Sequence, residues 1–300
     1  MELQQSVAQE AEKKIELKKK VSPMIQLLDD TDITVIREVQ KALFALGNST
    51  IPFLRTALTS SNDNNQKRGI IDVIRLFQSV NVLKVQDYLK APIVSDSITE
   101  LEQCLIDLSS FGYPETNAED FTAMLDNAAL EVHQRYIKNA ETNYITLTMA
   151  LNDIFFHRLG FCGDDRHYFH PDSTYIHTLI SQKKGIPISL CVLYLLIAER
   201  CGIEMYGVGL PLHFLAYNCD AEMYVDVYNY GIMLTIEDCA SFVRKAGLEF
   251  NESMVNRASV KSMIERMVRN LIIAHEKYGD IWEAEQLRNI LIKKDKPITL

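Results

Sequence analysis

The chain has 300 residues, of which 47% are hydrophobic and 24% charged, and a formal net charge of -9 at neutral pH. That balance is the one of a globular protein with a sizeable core. It opposes general attraction to nucleic-acid backbones and anionic membranes, and no apolar run reaches the roughly 18 residues that a membrane span needs.

The opening segment, MELQQSVAQEAEKKIELKKK, has no apolar stretch and carries glutamates throughout, so it reads as neither a secretory signal nor a transit peptide and a cytoplasmic protein is expected. The cysteines at 104, 162, 191, 201, 219 and 239 form no CxxC pair and read as reduced thiols rather than disulfides. Lys13, Lys14, Lys18, Lys19 and Lys20 stand among Glu2, Glu10, Glu12 and Glu16 at spacings that permit i,i+4 pairing, the pattern of a solvated helix.

Between Ser22 and Phe77 a helix-pair cadence repeats. Met24, Leu27 and Leu28 share one face, and after an acidic turn Val35, Val39, Leu43 and Leu46 share another, with Gly47 at the C-terminal cap. Asp30 or Asp32 is placed to cap the second helix. The cadence returns with Ile51, Leu54 and Leu58, the polar turn SSNDNNQ, and Ile70, Ile71, Ile74 and Phe77. This wording resembles HEAT repeats, in which stacked helix pairs bury a shared core. The turn at Asp29, Asp30 and Asp32 lacks the glycine and closing glutamate of a calcium loop, which leaves capping as its role.

Three further helices are predicted at 100–109, 120–139 and 144–159, broken by FGYPETN and KNAETN. From Gly160 to about Cys239 the character changes. A loop rich in aromatics and aspartate, GFCGDDRHYFHPDSTYIHTLI, leads to an apolar helix that opens at Gly185-Ile186-Pro187, proline being suited to a first helical turn. MYGVGLPLHFLAY and MYVDVYNYGIML read as strands. A helix followed by antiparallel strands makes an α+β module. In the tail, Met263, Met267, Leu271 and Ile272 form one stripe and, beyond Gly279-Asp280, Trp282, Ala284, Leu287, Ile290 and Leu291 form a second. The pair resembles one worn tetratricopeptide unit.

Acyl transfer by a thiol needs an ionised sulfur, favoured at a helix N-terminus beside an imidazole whose tautomer a carboxylate fixes. The helix start at Pro187, His213 in one strand-like run and Asp226 in the next are suited to that geometry. GIPISLCVLYLLIAERCGIEMYGVGLPLHFL with VDVYNYG, preceded by LGFCGDDRHYFHPDSTYIHTLISQKKG, resembles the transglutaminase-like family of SirB type over about 152–239. The domain of that family also occurs beside an F-box in eukaryotic ubiquitin-ligase adaptors. The resemblance implies a module of the papain-like cysteine-protease superfamily, with His213 as the family's histidine and Asp226 as its carboxylate. In the wider superfamily the nucleophile follows a glycine by two residues, in a G-x-C frame. Here that position, two after Gly185 and fifteen before Gly202, is Pro187.

Cys191 lies one helical turn deeper than Pro187, about 5.4 Å along the axis. That shift exceeds what near-attack geometry tolerates and removes the sulfur from the dipoles of the helix N-terminus. Within SLCVLYLL the cysteine reads as core. Ser189 falls on another helical face. His213 has an equally simple reading as a core histidine bonded to Asp226 for structure. His157, Cys162, His167 and His170, with Asp164 and Asp165, are zinc-binding types, but their spacings of five, five and three match no common zinc pattern. No phosphate loop is present, and neither metal nor cofactor is expected.

The expected fold is α+β and predominantly α: a HEAT-like region at 1–95, a transglutaminase-like domain with a helical lead-in and a small antiparallel sheet at 96–250, and a tetratricopeptide-like hairpin at 251–300. The expected function is non-catalytic binding of a protein or peptide, with no nucleic acid or membrane partner, at a groove bounded by Pro187, Ser189, Tyr168, Phe214 and Asn229. The alternative is a cysteine-dependent hydrolase or acyltransferase using Cys191, His213 and Asp226. A Cys191 sulfur within about 4 Å of the His213 ring favours the enzyme, and a sulfur sealed in apolar packing removes it.

Overall fold

The 3.6-residue apolar period of the N-terminal part produces helices where it was read. The computed structural model describes residues 2–91, 97–137 and 143–291. Four helices come first: α1 (Glu2–Gln26), α2 (Ile33–Ala45), α3 (Ile51–Ser60) and α4 (Asn64–Lys90). α1 continues through Pro23 to Gln26. Asp32 caps α2 by accepting the Thr34 N–H at 2.8 Å, and Asp30 accepts the Asp32 N–H at 2.8 Å, so the acidic turn serves backbone donors left free at a helix start. Asp63 does the same for α4, accepting the N–H groups of Asn65 and Gln66 at 2.7 and 2.9 Å. The helices share a core that includes Ile25, Leu28, Leu43, Leu54, Ile70 and Phe77. Gly69 permits close approach at this point, since a Cβ there would meet the Leu28 carbonyl oxygen at 2.7 Å.

The chain forms two compact units, one of Met1–Leu83 with Ser110–Thr116 and one of Lys84–Ser109 with Asn117–Leu300. After α5 (Ile98–Gly112), the second unit contains α6 (Ala118–Ile137) and α7 (Tyr144–Asn152). The helix predicted at 144–159 changes character: α7 closes at Asn152, and Asp153–Arg158 wind as a π-helix with the Leu159 N–H bonded to the Ile154 carbonyl at 2.8 Å. Ile154, Phe155 and Phe156 are all buried, and the wider π turn spreads consecutive residues over a smaller arc than an α turn does. The end of the helix predicted at 120–139, the break that follows it, the boundary at 95 and the final residues 292–300 lie outside the described residues.

A two-residue strand β1 (Cys162–Gly163) pairs in parallel with β2 (Lys184–Gly185), which follows α8 (Ile176–Gln182). α9 (Pro187–Arg200) is buried at every position from Pro187 to Ala198, as an all-round apolar helix must be. The two strand-like runs each divide, giving an antiparallel sheet in the order β3 (Met205–Val208), β4 (Leu215–Asn218), β5 (Met223–Asp226) and β6 (Ile232–Leu234). His213, expected within a strand, sits instead in the turn between β3 and β4, because Gly209 and Pro211 interrupt the ladder. α10 (Ile236–Lys245), α11 (Val260–Tyr278) and α12 (Ile281–Leu291) complete the described chain, with Gly279 at φ 83° ending α11. The fold is α+β and predominantly α. Among the described residues no helix is long and apolar enough to cross a membrane.

Candidate functional site

Asp226 closes β5, and the next turn folds back on it. Its carboxylate accepts the Asn229 backbone N–H at 3.1 Å and the Asn229 side-chain N–H at 2.8 Å. His213 Nε2 lies 2.8 Å from Asp226 Oδ1, with the carboxylate off the line of a ring N–H. Both side chains are buried, His213 at 5% and Asp226 at 7% exposure. Phe242 of α10 lies over the imidazole with ring centres 5.2 Å apart, and Tyr228 meets it edge-on at 6.2 Å.

Arg266 of α11 holds the turn that carries His213. Its Nη2 donates to the His213 carbonyl at 2.8 Å and the Leu210 carbonyl at 3.2 Å, while the guanidinium lies 5.3 Å from the Phe214 ring centre. Within that clamped turn Leu212 takes φ 61°, a left-handed conformation that costs a branched residue energy, and its side chain is 76% exposed. Burial opposes the charge on Asp226, but His213 and Asn229 together outweigh it and hold the carboxyl below its ordinary range.

Cys191 does not join this pair. It is fully buried, and among the described residues no hydrogen bond reaches its sulfur. Burial foremost, then the Asp226 carboxylate, push its pKa well above that of an ordinary thiol, with Arg266 only partly opposing them. Pro187, the residue that falls by resemblance at the cysteine position of a G-x-C frame, is the first residue of α9. Ser189 anchors that helix start: its hydroxyl lies 2.8 Å from the Ser173 carbonyl and accepts the Ile186 N–H at 3.1 Å.

The five residues expected around a groove separate. Pro187, Ser189 and Phe214 are buried, Tyr168 is half-buried and Asn229 is exposed. Among the described residues Phe242, Tyr228 and Asn229 touch the His213–Asp226 pair and keep part of their surface accessible, and the exposed Leu212 precedes His213 in the chain. In the preceding loop, His167 Nδ1 lies 3.3 Å from Asp164, His170 Nδ1 accepts the Asp172 N–H at 3.2 Å, and Tyr228 donates to Asp165 at 2.6 Å. These contacts engage the loop histidines and aspartates with each other and with backbone, and among the described residues no three His, Cys, Asp or Glu side chains converge as metal ligands would. Sequence reasoning missed Arg266 and Phe242. The available signal for Arg266 was its place between Met263 and Met267, an arginine on the edge of an apolar stripe.

A family model described as the transglutaminase-like superfamily matches residues 119–269. F-box only protein 21 of Mus musculus is 28% identical over 152 residues, covering 47% of this chain and 24% of that protein. A UPF0162 protein of Xylella fastidiosa (strain 9a5c) is 29% identical over 164 residues, covering 51% of this chain and 58% of that protein. Another UPF0162 protein, of Vibrio cholerae, is 28% identical over 138 residues, covering 43% of this chain and 48% of that protein. The chain thus spans about a quarter of the F-box relative's length and about half that of the UPF0162 relatives. No solved structure matches it.

Proposed function

The chain belongs to the transglutaminase-like superfamily, and from that premise we propose that it is a non-catalytic member that binds a protein or peptide partner. The observation that carries this reading is the state of the thiol: a proline stands where the nucleophile is expected, and the nearest cysteine along the same helix is sealed in the core with its pKa raised. Without a thiolate, the His213–Asp226 pair has no nucleophile to activate. Its role is then to fix the turn at 209–213, which displays Leu212 next to His213 in the chain, while the His213 ring packs against Phe242. An exposed leucine on a turn held by an arginine clamp, with the exposed Phe242 packed on the adjoining histidine, is the chemistry of a preorganised apolar contact point.

The finer assignments belong to the same reading. We read the motifs around Gly185, His213 and Asp226 as those of the SirB-type branch, the region of 1–95 as a HEAT-like scaffold, and the final hairpin as a tetratricopeptide-like one. The protein works in the cytoplasm.

Two assays test the proposal. In a screen for peptide hydrolysis and for amine incorporation into protein, wild type and Cys191→Ala should both match the enzyme-free blank. Turnover by wild type that disappears in Cys191→Ala supports the cysteine hydrolase or acyltransferase instead. On a peptide array, Leu212→Glu and Phe242→Glu, both at exposed positions, should lose the peptides that wild type retains.

A further inference from the structure

We propose that the groove between α1 and α3 is a docking site for an acidic amphipathic helix of a partner protein. The groove encloses about 760 Å³ and lies wholly within the first unit, whereas Leu212 and Phe242 belong to the second, so this surface is additional to the one above. One face of α1 supplies Lys14, Ile15 and Lys18, and one face of α3 supplies Phe53 and Ala57, at the i, i+3 and i+4 spacings that align side chains along a helix. Two helical ridges with an apolar floor form the kind of trough that receives a third helix.

Charge identifies the occupant. In a chain of net charge -9, two lysines line this groove and, among the described residues, no aspartate or glutamate does. Among the described residues no carboxylate pairs with Lys14 or Lys18. The two lysines stand one helical turn apart on α1, with about 6 Å between their Cβ atoms, which matches carboxylates one turn apart on an incoming helix. Ile15, 56% exposed between them, and the Phe53 ring offer contact for that helix's apolar face.

The hydroxyl groups of the groove argue against a phosphate or other small anion. Ser22 donates to the Lys18 carbonyl, Thr56 to Pro52 and Ser60 to Thr56, each at 2.8 Å, so these hydroxyl protons are already committed to the helix backbone. Gln66 likewise donates to the Ile25 carbonyl at 3.4 Å. A phosphate cradle requires several donors converging on one point, and here two separated ammonium groups are what is left.

The test uses the full chain and a fluorescein-labelled helical peptide of about 16 residues, four to five turns, with leucines on one face and glutamates flanking them, beside a peptide in which lysines replace the glutamates. Fluorescence anisotropy should show saturable micromolar binding of the glutamate peptide, weakening as NaCl rises from about 50 to about 500 mM, and no binding of the lysine peptide. The double variant Lys14→Glu, Lys18→Glu should bind at least about tenfold more weakly, and Ala57→Arg, which fills the floor, should abolish binding. Both variants should keep wild-type behaviour on the peptide array, which separates failure here from failure at Leu212 and Phe242. Three results overturn the proposal: no saturable binding of the glutamate peptide, equal binding by the double variant, or concentration-dependent dimerisation in sedimentation that the same substitutions remove, which makes the occupant a second copy.

Discussion

Asp226 is held ionised in a place where burial favours the neutral acid, and the groups responsible are His213 and Asn229. A carboxyl whose folded pKa lies below its unfolded value of about 3.9 stabilises the fold fully above that value and loses the contribution as pH falls through the folded value. Asn229→Ala removes one hydrogen bond to this charge and should cost about 1.5–3 kcal/mol at neutral pH. Urea titrations from pH 7 downward should show the gap between wild type and variant shrinking below about pH 4. A gap that stays constant through the acid range assigns the effect to packing instead. The two strand-like runs carried His213 and Asp226 as candidates for one site, although His213 reaches Asp226 from the turn before β4 rather than from a strand. The clamp from Arg266, fifty-three residues beyond His213, was not legible, since nothing local to either segment encodes a contact at that separation.

At the scale of elements, the turns carry what the apolar pattern leaves out. Richness in valine, tyrosine, leucine and phenylalanine marked 205–217 and 223–234 as strands, but the left-handed residues at Leu212 and Tyr230 stand where neither side chain advertises such a conformation. The legible signals were their neighbours Pro211 and Gly231. Gly231, at φ 72°, also leaves room for Asn152, which donates to the Gly231 carbonyl at 3.1 Å and accepts the Tyr194 hydroxyl of α9 at 2.8 Å. A Cβ on Gly231 would lie 2.5 Å from Asn152 Oδ1, so Gly231→Ala meets both backbone strain and a clash with the side chain that links α7, α9 and this turn. The expected loss is at least about 1–3 kcal/mol, or roughly 2–4 °C in Tm per kcal/mol for a unit of this size. An unchanged melting curve contradicts the linkage. At the other end of α9, Ser189→Ala should cost about 1–2 kcal/mol in the same assay by removing the hydroxyl that joins the helix start to Ser173.

For the whole molecule, composition was a good guide to class and a poor one to surface. A net charge of -9 makes duplex DNA an unfavourable partner, and a mobility-shift assay at about 0.15 M salt should show no complex. The average conceals the lysine-lined groove on α1, because the pairing pattern of lysines and glutamates along a helix does not reveal which face another helix will leave open. The helical flanks were legible from periodicity, and the small sheet and the buried apolar helix from composition. The π-helical turn was not, since three buried residues in succession fit a strand as well as a widened helix.

The central claim is that the frame of a thiol enzyme persists here without a working thiol, and alkylation of the six cysteines by iodoacetamide in native protein, from about pH 5 to about pH 9, tests it most directly when read by peptide mass spectrometry beside His213→Ala. The half-exposed Cys162 and Cys219 should label first, while Cys191 stays protected until the protein unfolds and responds to the histidine only through global stability. Rapid labelling of Cys191 below the ordinary thiol pKa of about 8.5, lost in a folded His213→Ala protein, contradicts the account and makes the site an enzyme's.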